Sequence, residues 1–243
     1  AIVVSWTHRH KQMYRFANGL VSTLKIDPQM AVRIFKTGSP LLLNEAMWAA
    51  GQAFLTQCYS MRGLESVAGF NIASILVNVF KVVFLAMGNT VGIVVGRYLG
   101  SKDTENAVDA SRKLTVFSVF LCFFVAAIMF SVSGLFPLIY NTSDNARRIA
   151  TQAIIVAAVF MPLDAYKNAT YFTLRSGGRT WVTFLFDSAY LWAISCSVAF
   201  VLSRFTSLAS VNIFVIYNLA EIPKAVVGFI LVKKRIWLRT ITV

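Results

Sequence analysis

Six apolar runs, each meeting the ~20 residues that a helix needs to cross a bilayer, leave this 243-residue chain one fold class, an all-α integral membrane bundle. They run from Pro40 to Tyr59, Ser66 to Gly96, Leu114 to Leu138, Ile149 to Leu174, Trp181 to Leu202 and Leu208 to Val232. Backbone polar groups in lipid must be satisfied within their own segment, so each run is expected as a helix. The connections are short, which predicts antiparallel neighbours in a six-transmembrane-helix bundle. Charged residues make up 14% of the chain, against roughly 25% in soluble domains.

The formal net charge is +13, a value that in a soluble chain points to nucleic acid, and here the positions of the charges decide against it. Of the 23 Lys and Arg, sixteen fall on one side: six before the first run, Arg97, Lys102, Arg112 and Lys113 after the second, Arg175 and Arg179 after the fourth, and Lys233, Lys234, Arg235 and Arg239 after the sixth. The other side holds Arg62, Arg147, Arg148 and Arg204. That alternation places both termini in the cytoplasm and makes membrane lipid, with its anionic head groups, the partner of the basic surface. Cys58, Cys122 and Cys196 stand apart from one another, and both His lie near the start, at His8 and His10. This predicts no zinc site and no disulfide framework, and no clustering of His or Cys for membrane-enzyme chemistry. Residues 1–36 read as the end of a preceding helix, AIVVSW, plus a basic cytoplasmic linker in which Asp27-Pro28 turns the chain before a short amphipathic piece, Met30 to Phe35. Residues 37–243 form the transmembrane domain.

Ionisable residues inside spans cost about 2.5 to 3.5 kcal/mol each on insertion scales and default to pathway or coupling roles. The fourth run carries Asp164, Lys167 and Tyr171 before the turn LRSGGRT; the first carries Glu45, Gln52 and Thr56 on one helical face; the second carries Ser74, Asn78 and Lys81 on another. The sixth carries Tyr217, Glu221 and Lys224, and the fifth carries Asp187 with Tyr190 about two turns from its cytoplasmic end. Glu221 and Lys224 are i, i+3 neighbours able to pair on their own helix, which makes them a candidate structural pair. Asp164 and Lys167 are spaced likewise, and an apolar pair would hold a helix as well or better, so stability does not explain keeping both. Four acids and three lysines facing one bundle interior describe a polar cavity. Gly88, Gly92, Gly96 and Gly100 recur every four residues, a small-residue face that lets helices approach closely.

The end of the second run continuing into GRYLGSKDTENAVDASRKL, the segment LFPLIYNTSDNARRIA and the turn LRSGGRT together resemble the C-terminal lobe of the multidrug and toxic compound extrusion (MATE) transporters, over about Thr37 to Arg239. The turn is similar to the family's LRGxGDT, with Arg179 where the family has Asp. The resemblance implies one six-helix lobe of a twelve-helix transporter, hence a missing N-terminal lobe as partner. It implies a plasma-membrane secondary antiporter, not an enzyme, exporting small organic solutes, cationic and drug-like, with H+ or Na+ as coupling ion and no other cofactor. Asp164, eleven residues before Arg175, takes the place of the family's functional Asp, where Na+ would bind transiently; Glu45 takes the place of its membrane-embedded Glu on the lobe's first helix. Lys81, Lys167 and Lys224 keep a second expectation open, export or flipping of an anionic or lipid-linked substrate. A structural or channel-type subunit is the alternative of another class, against which the mixed charge signs argue.

Overall fold

The computed structural model of the protein describes Trp6 and residues 28–238, and every described element is helical. The chain divides into two units, Ala1–Ser39 and Pro40–Val243. Of the expected preceding helix and linker at 1–36, only Trp6 and residues 28–36 fall within the described residues. Six helices follow one another: α1 (Pro28–Ser60), α2 (Leu64–Gly100), α3 (Thr104–Val132), α4 (Asp144–Ser176), α5 (Thr180–Phe205) and α6 (Ser210–Lys233).

The helices overrun the apolar runs that announce them. Met30 to Phe35 is not a separate piece but lies within α1, which Pro28 opens at the first helical position, where its missing N–H is no loss. The polar stretch after Gly100 does not form a surface helix of its own: Asp103 caps Thr104–Val132 by accepting from the Asn106 N–H at 3.2 Å, and the polar residues are the first turns of the apolar α3. Five helices, α2 to α6, are long and apolar enough to cross a membrane. The helix α1 is long enough, but Asn44, Glu45, Gln52, Thr56 and Gln57 dilute its apolar content.

Three packed groups hold the bundle, and two of them divide its helices. One joins α2, α3 and α4 around Leu76, Cys122, Met129, Ile154 and Met161. The other joins α1, α5 and α6 around Leu55, Cys58, Leu191, Cys196 and Ile213, with Tyr59 stacked on Phe70 at 4.8 Å. Glycines set the seam between α2 and α4: a Cβ at Gly69 would strike Ile149, one at Gly88 would strike Asn168, and one at Gly92 would press on Phe172. Each pair is 80 residues apart, so α2 and α4 run parallel in fixed register. Gly96 and Gly100 meet nothing in this way, so half of the small-residue face is used for close approach.

Beyond α6, Arg235 adopts φ 53° and turns the chain so that Trp237, 1% exposed, enters a core of Val91, Val95, Leu174 and Phe186. Its carbonyl oxygen sits where a Cβ on Gly177 would be, 1.8 Å from that position. Backbone cannot yield as a flexible side chain does. Gly177→Ala is therefore expected to unseat Trp237 at about 1 to 3 kcal/mol, the usual range for overpacking. A lowered melting temperature with red-shifted tryptophan emission checks it, and wild-type values of both would refute it.

Candidate functional site

The α4 stretch MPLDAYKN places Asp164 and Lys167 one turn apart, just after Pro162, whose ring removes a helical donor. The Lys167 ammonium lies 2.8 Å from Asp164 Oδ1, as the spacing predicts. It also lies 2.9 Å from Glu221 Oε2 on α6. The expected Glu221–Lys224 pair forms, but each member also has a closer partner on another helix. Their charged atoms are 3.8 Å apart, while Lys224 reaches 2.9 Å to Asp187 on α5 and Glu221 takes Lys167 and the Ser195 hydroxyl as nearer partners. Tertiary partners are added to the local one, and helix packing brings them closer than the i+3 geometry does.

Irregular backbone aims these groups. The helix α6 is interrupted at Glu221, ahead of Pro223, and the Tyr190 hydroxyl donates to the Ala220 carbonyl there at 2.7 Å. The helix α5 runs through two consecutive π-helical stretches, Leu185–Ala189 and Leu191–Cys196, which carry Asp187 and Ser195. Such widened turns are frequent at functional sites. Asp187, expected near the cytoplasmic end of its run, is 17% exposed at its side chain and bound on both oxygens, by Lys224 and by Asn44 Nδ2 at 3.2 Å.

The chain of contacts continues to α1. Asn44 Nδ2 also donates to the Tyr171 hydroxyl at 3.2 Å, and Ser188 holds Asn44 by its Oδ1 at 2.8 Å. Tyr171 donates to Glu45 Oε1 at 3.1 Å, and Arg175 pairs with Glu45 at 3.3 Å. Asp164, Lys167, Glu221, Lys224, Asp187, Asn44, Tyr171, Glu45 and Arg175 thus form one connected polar path across four helices. Its inner part sets three carboxylates against two ammoniums, a formal charge of −1. Among the three, Asp164 is the most open, at 27% side-chain exposure against 4% for Glu221.

Of the residues expected to line the site, Asp164, Lys167, Glu45 and Tyr171 meet in this path, whereas three others do not. Gln52 lies beside Tyr217, Asn78 is exposed on α2, and Lys81 is half-buried and makes no ion pair or hydrogen bond among the described residues. Sequence reasoning missed Asn44, Ser188, Ser195 and the linking role of Arg175. Asn44 adjoins Glu45 and offered the one available signal, a polar amide inside an apolar run. No group of His, Cys, Asp and Glu able to hold a metal ion occurs among the described residues.

Solved structures share this architecture. A crystal structure of MATE in the straight conformation superposes with a TM-score of 0.81 at 17% identity, covering 97% of this chain and 54% of its own. That of a MATE point mutant gives 0.77 at 17% identity over 88% of this chain and 48% of its own. A MOP superfamily transporter from Pyrococcus furiosus, described as having a binding pocket of reverse polarity, gives 0.74 at 14% identity over 86% and 46%. The chain therefore spans about half the length of the structures it matches. Residues 40–201, most of the chain and all of the path above except Glu221 and Lys224, match the MatE family profile, and the chain belongs to that family.

Proposed function

We propose that this chain is one lobe of a secondary antiporter, working with a second six-helix lobe in the plasma membrane, both termini cytoplasmic, and exporting drug-like organic solutes, cations among them, against H+ or Na+. One observation carries the reading: the inner cluster holds one more carboxylate than ammonium. A single H+, Na+ or cationic solute at Asp164 neutralises it, and two of these cannot be held together without excess positive charge in a low-dielectric site. Competition for one charge vacancy is the requirement of exchange. Lys167 supplies the mechanical link. When a cation occupies Asp164, the ammonium shifts its weight to Glu221 at the α6 break, so occupancy on α4 is felt where α6 can bend.

The vacancy predicts a stoichiometry. Purified full-length protein is expected to bind one Na+ per cluster, or to take up one proton per cluster, when titrated calorimetrically, and Asp164→Asn is expected to lose that event. Two or more cations bound per cluster, or a count unchanged in folded Asp164→Asn protein, would overturn the reading. The reading with an anionic or lipid-linked substrate draws support from Lys81, a cation within a span that no carboxylate of the described residues meets.

A further inference from the structure

Lys81 sits near the middle of α2, 17 residues from Leu64 and 19 from Gly100. The middle of a helix centred in the bilayer lies about 15 Å from either edge of a hydrocarbon core of about 30 Å, still beyond the length over which a lysine stem can lift its ammonium to a membrane surface. The fixed register of the α2–α4 seam puts Lys81 level with Met161, within one helical turn of Asp164. The other cations at this depth, Lys167 and Lys224, are held by carboxylates at 2.8 to 2.9 Å. A mid-span ammonium without a protein counter-charge needs water or an anion from outside the lobe.

Further along α2, Asn89 and Gly92 with Ile93, Phe172, Arg175 and Ser176 line an open cleft of about 310 Å³. Asn89 is about 12 Å from Lys81 along the helix axis at 1.5 Å per residue. Arg175 lies over the Phe172 ring at 5.9 Å in that cleft. Along the same seam, the Asn168 Oδ1 atom beside Gly88 is buried without a hydrogen-bond partner. Guanidinium, amides, an aromatic ring and then a mid-span ammonium are the chemistry that recognises an aromatic carboxylate or phosphate.

From this arrangement we infer that Lys81 binds the anionic group of the transported solute, so that the substrates include amphiphilic organic anions and zwitterions. The inference rests on the transporter reading and adds a substrate class to it. Lys81 acts on the solute directly, apart from the Asp164 cluster, so its charge and not its bulk is what counts.

The test measures carboxyfluorescein and ethidium binding by fluorescence anisotropy to the purified full-length protein, for wild type, Lys81→Met and Lys81→Arg, with gradient-driven transport of both dyes in proteoliposomes alongside. Lys81→Met should raise the carboxyfluorescein Kd on the order of tenfold, the loss expected of one charge-assisted contact. Lys81→Arg should stay within about threefold of wild type, and ethidium binding should not weaken in either variant, because the cation does not use the ammonium. Saturable carboxyfluorescein binding that is unchanged in folded Lys81→Met protein would overturn the inference, as would its absence from the wild type. Carboxyfluorescein binding that depends on Lys81, in protein whose transport of both dyes ignores H+ and Na+ gradients, would sink the antiporter reading and keep the anion site.

Discussion

Asp164→Asn is expected to reduce ion-driven export by about 100-fold or more, equivalent to about 2.7 kcal/mol or more of lost coupling, while leaving the fold intact. The separation of effects comes from the geometry. Without the Asp164 charge, Lys167 still has Glu221 at 2.9 Å and Lys224 still has Asp187 at 2.9 Å, two balanced pairs. No buried charge is stranded, so the stability change should stay near the ±0.5 kcal/mol of substitutions that disturb no such feature. What disappears is the vacancy for one cation, and with it the exchange that the proposed antiport requires. The measurement is gradient-driven uptake of a fluorescent organic cation into inverted vesicles containing the full-length variant, with thermal melting in parallel. Wild-type uptake by folded Asp164→Asn protein would return this cluster to a purely structural role.

Lys167→Met should behave in the opposite way and give the largest stability loss of the cluster. Its removal leaves Asp164, Glu221 and Asp187 to share Lys224, which lies 3.8 Å from Glu221 and is already engaged by Asp187. Breaking a buried ion pair by deleting one partner costs about 3 to 5 kcal/mol, because the other charge remains without compensation. Glu221 is the residue most exposed to that penalty, being buried with Ser195 as its remaining close donor. A compensating Glu221→Gln should then recover most of the loss, since the double variant has the wild-type excess of one acid. Melting of the single and double variants in detergent tests this. A single variant as stable as wild type, or a double variant no better than the single, would show that charge balance does not govern the cluster. By the same logic, removing Glu221 and Lys224 together is not neutral, because Asp187 loses its lysine.

The local part of this site was legible and the cross-helix part was not, for a physical reason. Spacing along one helix reports i, i+3 and i, i+4 neighbours, so Asp164 with Lys167 could be read directly, as could the Gly88 and Gly92 face. At Glu221 and Lys224 the same rule gives the pair that forms at 3.8 Å but not the closer partners that α4 and α5 supply. The π-helical stretches of α5 shift the phase of Asp187 and Ser195 in a way that a 3.6-residue period cannot anticipate. Asn44 could not be ranked above other amides without knowing that Asp187 and Tyr171 would both reach it. The number of helices followed from hydropathy, yet the polar residues that make α1 useful to the site are those that keep it from qualifying as an apolar span.

The partner exchange among these charges also bears on how the protein is made. Helices enter the bilayer one after another, before their neighbours have arrived, and each must tolerate lipid with whatever charges it carries. Asp164 with Lys167 and Glu221 with Lys224 each place acid and base three residues apart, so α4 and α6 can insert with their charges cancelled from within. Once the helices meet, Lys167 gains Glu221 and Lys224 gains Asp187, and the nascent pairs become the finished path. The helix α5 has no such internal partner for Asp187 within its span. It must insert with a lone acid and wait for α6, which makes the arrival of Lys224 the step that completes membrane assembly of the lobe.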